Sequence, residues 1–220
     1  MDNIKINYND LALQEIERFG ERKPKLLLHA CCGPCSCYPL TFLCPHFDVT
    51  IYYANSNIYP TQEYERRRDE LVLALKKFKE TYGFEVALVI PPYDHEAYME
   101  DLRPLKDEPE RGARCLLCYE KRMEESYAYA EAHGFEYFTT VMTISRQKSS
   151  AVMNEIGKKL EAKHPKTKYF YSDFKKQNGI LKGKAIREEF GLYNQTYCGC
   201  EYSLESRLAY DASHPKNKGF

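Results

Sequence analysis

No stretch of the 220-residue chain approaches the roughly 20 consecutive apolar residues that a membrane span needs. Its first residues, Met1-Asp2-Asn3-Ile4-Lys5, hold no apolar segment of the kind that directs secretion, so the chain reads as cytoplasmic. Net charge is also missing: 32 Lys and Arg offset 32 Asp and Glu, which removes any global attraction to nucleic acid. Phosphate-binding loops are absent. There is no Gly-x-Gly-x-x-Gly, no Walker loop and no Ser-Gly-Gly-x-Asp-Ser pyrophosphatase loop, so ATP-driven thiolation loses ground. Internal repeats and low-complexity segments are lacking as well, and the six histidines are scattered.

What the chain does have is nine cysteines. In a reducing compartment a permanent disulfide framework is disfavoured, and an odd count fits paired bridges poorly. Seven of the nine fall in three short motifs, Cys31-Cys32-Gly33-Pro34-Cys35, Cys115-Leu116-Leu117-Cys118 and Cys198-Gly199-Cys200. Such spacing points to a metal, a cluster or a redox couple. Cys37 and Cys44 read as small hydrophobes packed in the helix that follows the first motif.

Apolar runs predict strands at Lys25–Ala30, Val49–Ala54, Glu85–Ile90, Glu136–Thr143 and Lys168–Tyr171. Between them lie amphipathic helices. One is N-capped by Thr61, carries the stripe Tyr64, Leu71, Leu75, Phe78 and Tyr82, and closes at Gly83. Another opens at the second cysteine pair, with Leu116, Tyr119, Met123, Tyr127 and Ala130 on one face. Further helices are expected near Leu11–Phe19, Asp94–Leu102, Arg146–Lys163 and Lys184–Phe190, and Arg103–Arg114 reads as an exposed loop. This alternation predicts an α/β, Rossmann-like doubly wound parallel sheet of about five strands with helices on both faces. In such sheets ligands sit beyond the carboxyl ends of the strands, which is where Cys31 lies.

The chemistry of the motifs leaves alternatives. Adjacent cysteines leaving a strand point apart, so Cys31 and Cys32 can serve two positions of a large cluster or two metals. Cys115 and Cys118 stand at a helix N-terminus, where the dipole favours thiolate. Together these four supply soft ligands for a [4Fe-4S] cluster or for zinc. Cys198-Gly199-Cys200 can close a small, easily reduced disulfide or jointly hold one metal ion. Cys32-Gly33-Pro34-Cys35 also reproduces the turn of thioredoxin-like proteins, which keeps a dithiol oxidoreductase in view; a structural zinc protein is the other alternative.

An ordered set of segments resembles the epoxyqueuosine reductase QueH family. It comprises His-Ala-Cys-Cys-Gly-Pro-Cys-Ser at 29–36, Asn-Ile-Tyr-Pro-Thr-Gln-Glu-Tyr-Glu-Arg-Arg at 57–67 and Arg-Cys-Leu-Leu-Cys-Tyr-Glu-Lys-Arg at 114–122. Thr139-Thr140, Asp-Phe-Lys-Lys at 173–176 and Tyr-Asn-Gln-Thr-Tyr-Cys-Gly-Cys-Glu-Tyr-Ser at 193–203 complete it. The resemblance spans about residues 25–207, leaving 1–24 as a peripheral segment and 208–220 as a tail, and implies a HUP-type sheet. It further implies reduction of the epoxide of epoxyqueuosine at the tRNA wobble position, in the last step of queuosine formation. By the same resemblance Cys31, Cys32, Cys115 and Cys118 would hold a [4Fe-4S] cluster. Cys198 and Cys200 would form a redox-active dithiol or, with Cys35, ligate a second, mononuclear iron that zinc can replace in a preparation. Asp173 is a candidate acid. Arg66, Arg67, Lys175 and Lys176 are the candidate basic surface for the tRNA; an electron donor and a monomeric state are expected.

Overall fold

The structure, a computed structural model, describes residues 6–214. Five strands form one sheet: β1 Lys25–His29, β2 Asp48–Tyr52, β3 Ala87–Val89, β4 Tyr137–Thr140 and β5 Lys168–Tyr169. Every pairing is parallel and the order is β3-β2-β1-β4-β5. β1 is therefore central, and Leu26, Leu27, Leu28 and His29 are all fully buried. Burial on both faces explains why this strand is a continuous apolar run rather than an alternating one.

Around the sheet run α1 Tyr8–Glu17, α2 Gly33–Leu43, α3 Thr61–Tyr82, α4 His95–Met99, α5 Ala113–Ala132, α6 Ser150–Lys163, α7 Gly179–Glu189 and α8 Glu201–Ser213. On one face Leu26 and Leu28 pack with Leu40 and Leu43 of α2, Leu71 and Phe78 of α3 and Ile186 of α7. On the other, Leu27 and Phe138 pack with Met123, Tyr127 and Ala130 of α5 and Met153 and Leu160 of α6. This is the doubly wound arrangement that the alternating pattern predicts. Chain order reverses at β1, whose neighbours are β2 on one side and β4 on the other, so the switch point lies at the carboxyl end of β1.

Boundaries differ where local chemistry intervenes. β4 stops at Thr140, not Thr143, because the Thr140 hydroxyl accepts from Met142 N–H and opens a 3₁₀ turn over Val141–Ile144. Helix α6 starts at Ser150 behind a Ser149 cap, which frees residues 146–148 as loop. α7 begins at Gly179 and α3 at Thr61, with Pro60 rather than Thr61 at its cap. Arg103–Arg114 is no simple exposed loop. It holds a 3₁₀ turn at Arg103–Leu105 and the start of α5, and Arg114 is buried, donating to Leu105 O and Lys106 O.

The segment expected to be peripheral is docked. Ala12 joins the core, and Glu15 accepts from Tyr137 Oη and from Lys168 Nζ, both at 2.6 Å. At the other end α8 runs through residue 213 with no break near 207. The basic residues Lys216 and Lys218 lie outside the described part of the chain.

Candidate active site

The first cysteine motif leaves the carboxyl end of β1 and enters α2. Cys32 is the cap residue of that helix in extended conformation, and Pro34 occupies its first turn, where a missing N–H costs nothing. Gly33 is required by packing: a Cβ there would lie 2.7 Å from Glu70 O on α3. The sulfurs of Cys31, Cys32 and Cys35 all lie within 4.8 Å of one another, and Cys31 Sγ is 3.8 Å from Cys32 Sγ. Hydrogen bonds from the Cys32 and Cys35 thiols draw Cys31 well below the usual thiol range. Burial opposes this, while the charges of Lys148 and Arg122 add to it. Cys32 and Cys35, the donors, are correspondingly pushed up. Within the trio Cys31 is therefore the sulfur that loses its proton most readily.

The second motif opens α5. Cys115 Sγ accepts from Arg111 N–H at 3.2 Å, and Cys118 Sγ accepts from Tyr98 Oη at 3.3 Å. Burial pushes both thiols up. The third motif precedes α8, with Cys200 as its cap residue and Gly199 at φ +130°, a conformation that side chains rarely adopt. This loop is held by its backbone: Tyr59 N–H donates to Gly199 O at 2.8 Å, and Arg67 donates to Cys198 O and Tyr197 O at 3.0 and 3.1 Å. Lys148 Nζ sits 3.7 Å from Cys198 Sγ.

The three motifs meet at one cavity of about 620 Å³, lined by Cys31, Cys35, Cys115, Cys118, Cys198 and Cys200. Cys32 lies just behind this wall, fully buried. Gln195 Nε2 donates to Cys32 Sγ at 3.0 Å, while its buried Oε1 and that of Asn57, Oδ1, have no partner. Both residues line the cavity, with these two oxygens buried in its wall. The close group of Cys31, Cys32 and Cys35 holds thiols and no carboxylate, a donor set suited to a soft metal. Among the described residues the tightest ligand trio is Cys31, Cys32 and Cys35, which groups Cys35 in space with the two cysteines expected at the cluster.

Other expected site residues fall elsewhere. Asp173 is not on the cavity wall; its carboxylate accepts from Lys175 N–H, and the residue lines a small crevice with Asn9 and Tyr38. Nor does it cap a helix, since Asn178 precedes α7. Arg67 is only 2% exposed and ion-paired with Glu63 at 2.7 Å, so it offers nothing to a phosphate. Lys175 Nζ donates to Thr143 O at 2.7 Å and Lys148 O at 3.3 Å, bracing the loop that carries Lys148. Burial draws its ammonium pKa down. Arg66 and Lys176 are exposed, the former stacked 3.4 Å over the ring of Tyr193. His29 is a bonded core histidine, joined to Thr140 Oγ1 and Ala54 O, and burial lowers its pKa to about 3. Cys37 and Cys44 are buried thiols pushed up to about 12 by burial, as packing residues should be.

Residues not singled out from sequence complete the site: Arg122, Lys148, Gln195, Asn57 and the exposed Arg111 and Arg146 at the cavity mouth. Arg122 carried a readable signal, four residues after Cys118 on the same helical face. Lys148 and Arg146 carried none, because they lie on an irregular loop that only the fold brings to the cysteines.

A family model described as epoxyqueuosine reductase QueH matches residues 26–206. The chain is 38% identical over 206 residues to the epoxyqueuosine reductase QueH of Streptococcus pyogenes, covering 92% of this chain and 80% of that protein. The same-named protein of Staphylococcus aureus is 36% identical over 226 residues, covering all of this chain and 93% of the relative. That of Thermotoga maritima is 30% identical over 197 residues, 88% and 97% of the two chains.

Proposed function

The chain belongs to the epoxyqueuosine reductase QueH family, and we propose that its cysteine-lined cavity is where the epoxide in tRNA is reduced. The reaction removes the epoxide oxygen as water and leaves the alkene of queuosine, consuming two electrons and two protons. The observation that carries the reading is the convergence of three cysteine motifs, from distant parts of the chain, on one cavity. Neither a structural zinc knuckle nor a lone dithiol requires that many thiols around open space.

Cys31, Cys32, Cys115 and Cys118 are the ligands we propose for a [4Fe-4S] cluster. Cys198 and Cys200 are the dithiol or the ligands of a second metal, and Cys35, grouped with Cys31 and Cys32, can enter either set. When bound, such a cluster supplies electrons one at a time from an external donor. The chain's own groups do the rest. The Cys32 and Cys35 thiols draw the Cys31 pKa down, Lys148 keeps a proton and a positive charge on the cavity wall, and the Asn57 and Gln195 carbonyl oxygens lie buried and unpartnered just behind that wall. Asp173, the candidate acid, is off the cavity wall, and Lys148 is a cation on that wall that can offset negative charge on the departing oxygen.

Anaerobically prepared protein should hold stoichiometric iron and sulfide and convert epoxyqueuosine in tRNA to queuosine when given a reductant. Full activity from a preparation containing zinc and no iron would overturn the cluster assignment; iron-loaded protein without conversion would overturn the assignment of the cavity.

A base must be presented outside its stack to reach this cavity, so the tRNA backbone is expected along the mouth. Arg111, Arg146 and Arg207 line that mouth, with Tyr119, Tyr197 and Tyr202 as aromatic surfaces. Reversing Arg111 and Arg146 to Glu should weaken tRNA binding and lower the salt slope by about one for each phosphate no longer neutralised. The same reversal at Arg66 and Lys176 should do less. Equal weakening at the two pairs in a salt-titrated binding assay would reject the mouth as the interface.

A further inference from the structure

Among the described residues three arginines are buried, and two of them are visibly satisfied. Arg67 has a carboxylate and two backbone carbonyls, and Arg114 has two backbone carbonyls. Arg122 has neither. Its side chain is 2% exposed, its Nε has no partner, and its Nη2 reaches the thioether of Met142 at 3.1 Å, a weak acceptor. Among the described residues it forms no ion pair with a carboxylate.

An unpaired cation in a low-dielectric interior is strongly disfavoured, so its retention calls for an anion nearby. The helix says where that anion is. Cys115, Cys118 and Arg122 follow one another at spacings of three and four residues, on one face of α5. Burial works against the guanidinium charge, yet Cys118, Tyr98, Cys198 and Cys31 together hold it more firmly protonated than usual. Those three cysteines come one from each motif. The guanidinium is buried one helical turn beyond Cys118 and is not part of the cavity lining.

We propose that Arg122 is the fixed counter-charge of the thiolate centre, a positioning residue that favours the centre's reduced state. The proposal rests on the metal–thiolate reading given above. A cluster ligated by four thiolates is anionic and becomes more so on accepting an electron, so a nearby desolvated positive charge favours that step. Lys148 contributes a second cation from the cavity side, its Nζ 3.7 Å from Cys198 Sγ. Removing Arg122 should therefore make the bound centre harder to reduce.

The test uses the full chain with Arg122→Gln and Arg122→Lys, loaded anaerobically with iron and sulfide, analysed for metal and titrated by redox potentiometry. Arg122→Gln is expected to shift the midpoint to more negative potential at unchanged iron content, with Arg122→Lys restored towards wild type. Loss of iron in the Gln variant but not the Lys variant would equally support a need for charge. An unchanged midpoint in fully loaded Arg122→Gln, or equal iron loss in both variants, would overturn the proposal and make Arg122 a packing residue. Wild-type protein that takes up neither iron nor sulfide would instead overturn the metal–thiolate reading, and this inference with it.

Discussion

Cys31→Ser should give a folded protein that neither retains its metal nor reduces the epoxide. Cys31 is the member of the trio whose charge the site stabilises, through the Cys32 and Cys35 thiols and the cations Lys148 and Arg122. A serine hydroxyl stays protonated at neutral pH and is a poor ligand for soft metals. Loss of an outer partner at metal sites commonly costs about 10–100-fold in affinity or activity, and loss of a ligand should exceed that. The fold itself should tolerate the change, because Cys31 is half-buried at the end of its strand and differs from serine by one atom. Iron and sulfide analysis beside circular dichroism checks this. Wild-type metal content and turnover in a folded Cys31→Ser protein would remove Cys31 from the centre.

Arg67→Met is expected to be the most destabilising single change on the third motif. The guanidinium is buried, its Glu63 partner is 10% exposed on the side chain, and two further donors hold Tyr197 O and Cys198 O. Removing one partner of such a buried pair costs about 3–5 kcal/mol, since the carboxylate is left desolvated and the carbonyls unpaired. The loop carrying Cys198 and Cys200 would also lose its anchor to α3. Urea denaturation should register the fall, and alkylation of Cys198 and Cys200 should become faster. Adding Glu63→Gln to the same chain should recover part of the stability, because it removes the stranded charge. A loss below about 1 kcal/mol, the scale of an exposed ion pair, would show that the interaction is not buried in solution.

The two arginine sites show how much the sequence disclosed. Arg66-Arg67-Arg68 reads as a basic run, and runs of like charge usually face water. Yet Tyr64, Arg67, Leu71, Ala74 and Phe78, all buried, follow spacings of three, four, three and four. Arg67 sits on the apolar stripe, while Arg66 lies off it and stays exposed. The helical period was thus a better guide than composition, and it placed Arg122 behind Cys118 on α5 in the same way. It was not infallible: Tyr82 and Leu116 fit their stripes but stand 38% and 43% exposed at helix ends where the partner surface runs out.

The parallel sheet and the two-faced core were legible because β1 is apolar without alternation, as a strand buried on both faces must be, whereas the strand order was not. The meeting of three cysteine motifs was legible as chemistry but not as geometry. Whether Cys35 joins Cys31 and Cys32 depends on the first turn of α2, and spacing alone could not decide it. Asp173 and Lys175 were misplaced for a related reason. Their segment follows the edge strand β5, and its turn directs Lys175 under the Lys148 loop instead of out to solvent.

The distance along the chain between those motifs also sets a schedule. Cys198 emerges from the ribosome about 170 residues after Cys31. At a synthesis rate of roughly 5–20 residues per second, that is an interval on the order of ten to thirty seconds. For the first half of it the chain presents Cys31, Cys32 and Cys35 without the other motifs, and Cys115 and Cys118 follow before Cys198 is made. Soft metals and oxidants can reach them before Arg67 fastens the closing loop. A metal taken up as proposed before that point would be held by an incomplete ligand set, because the loop of Cys198 and Cys200 is the last of the three motifs to be made.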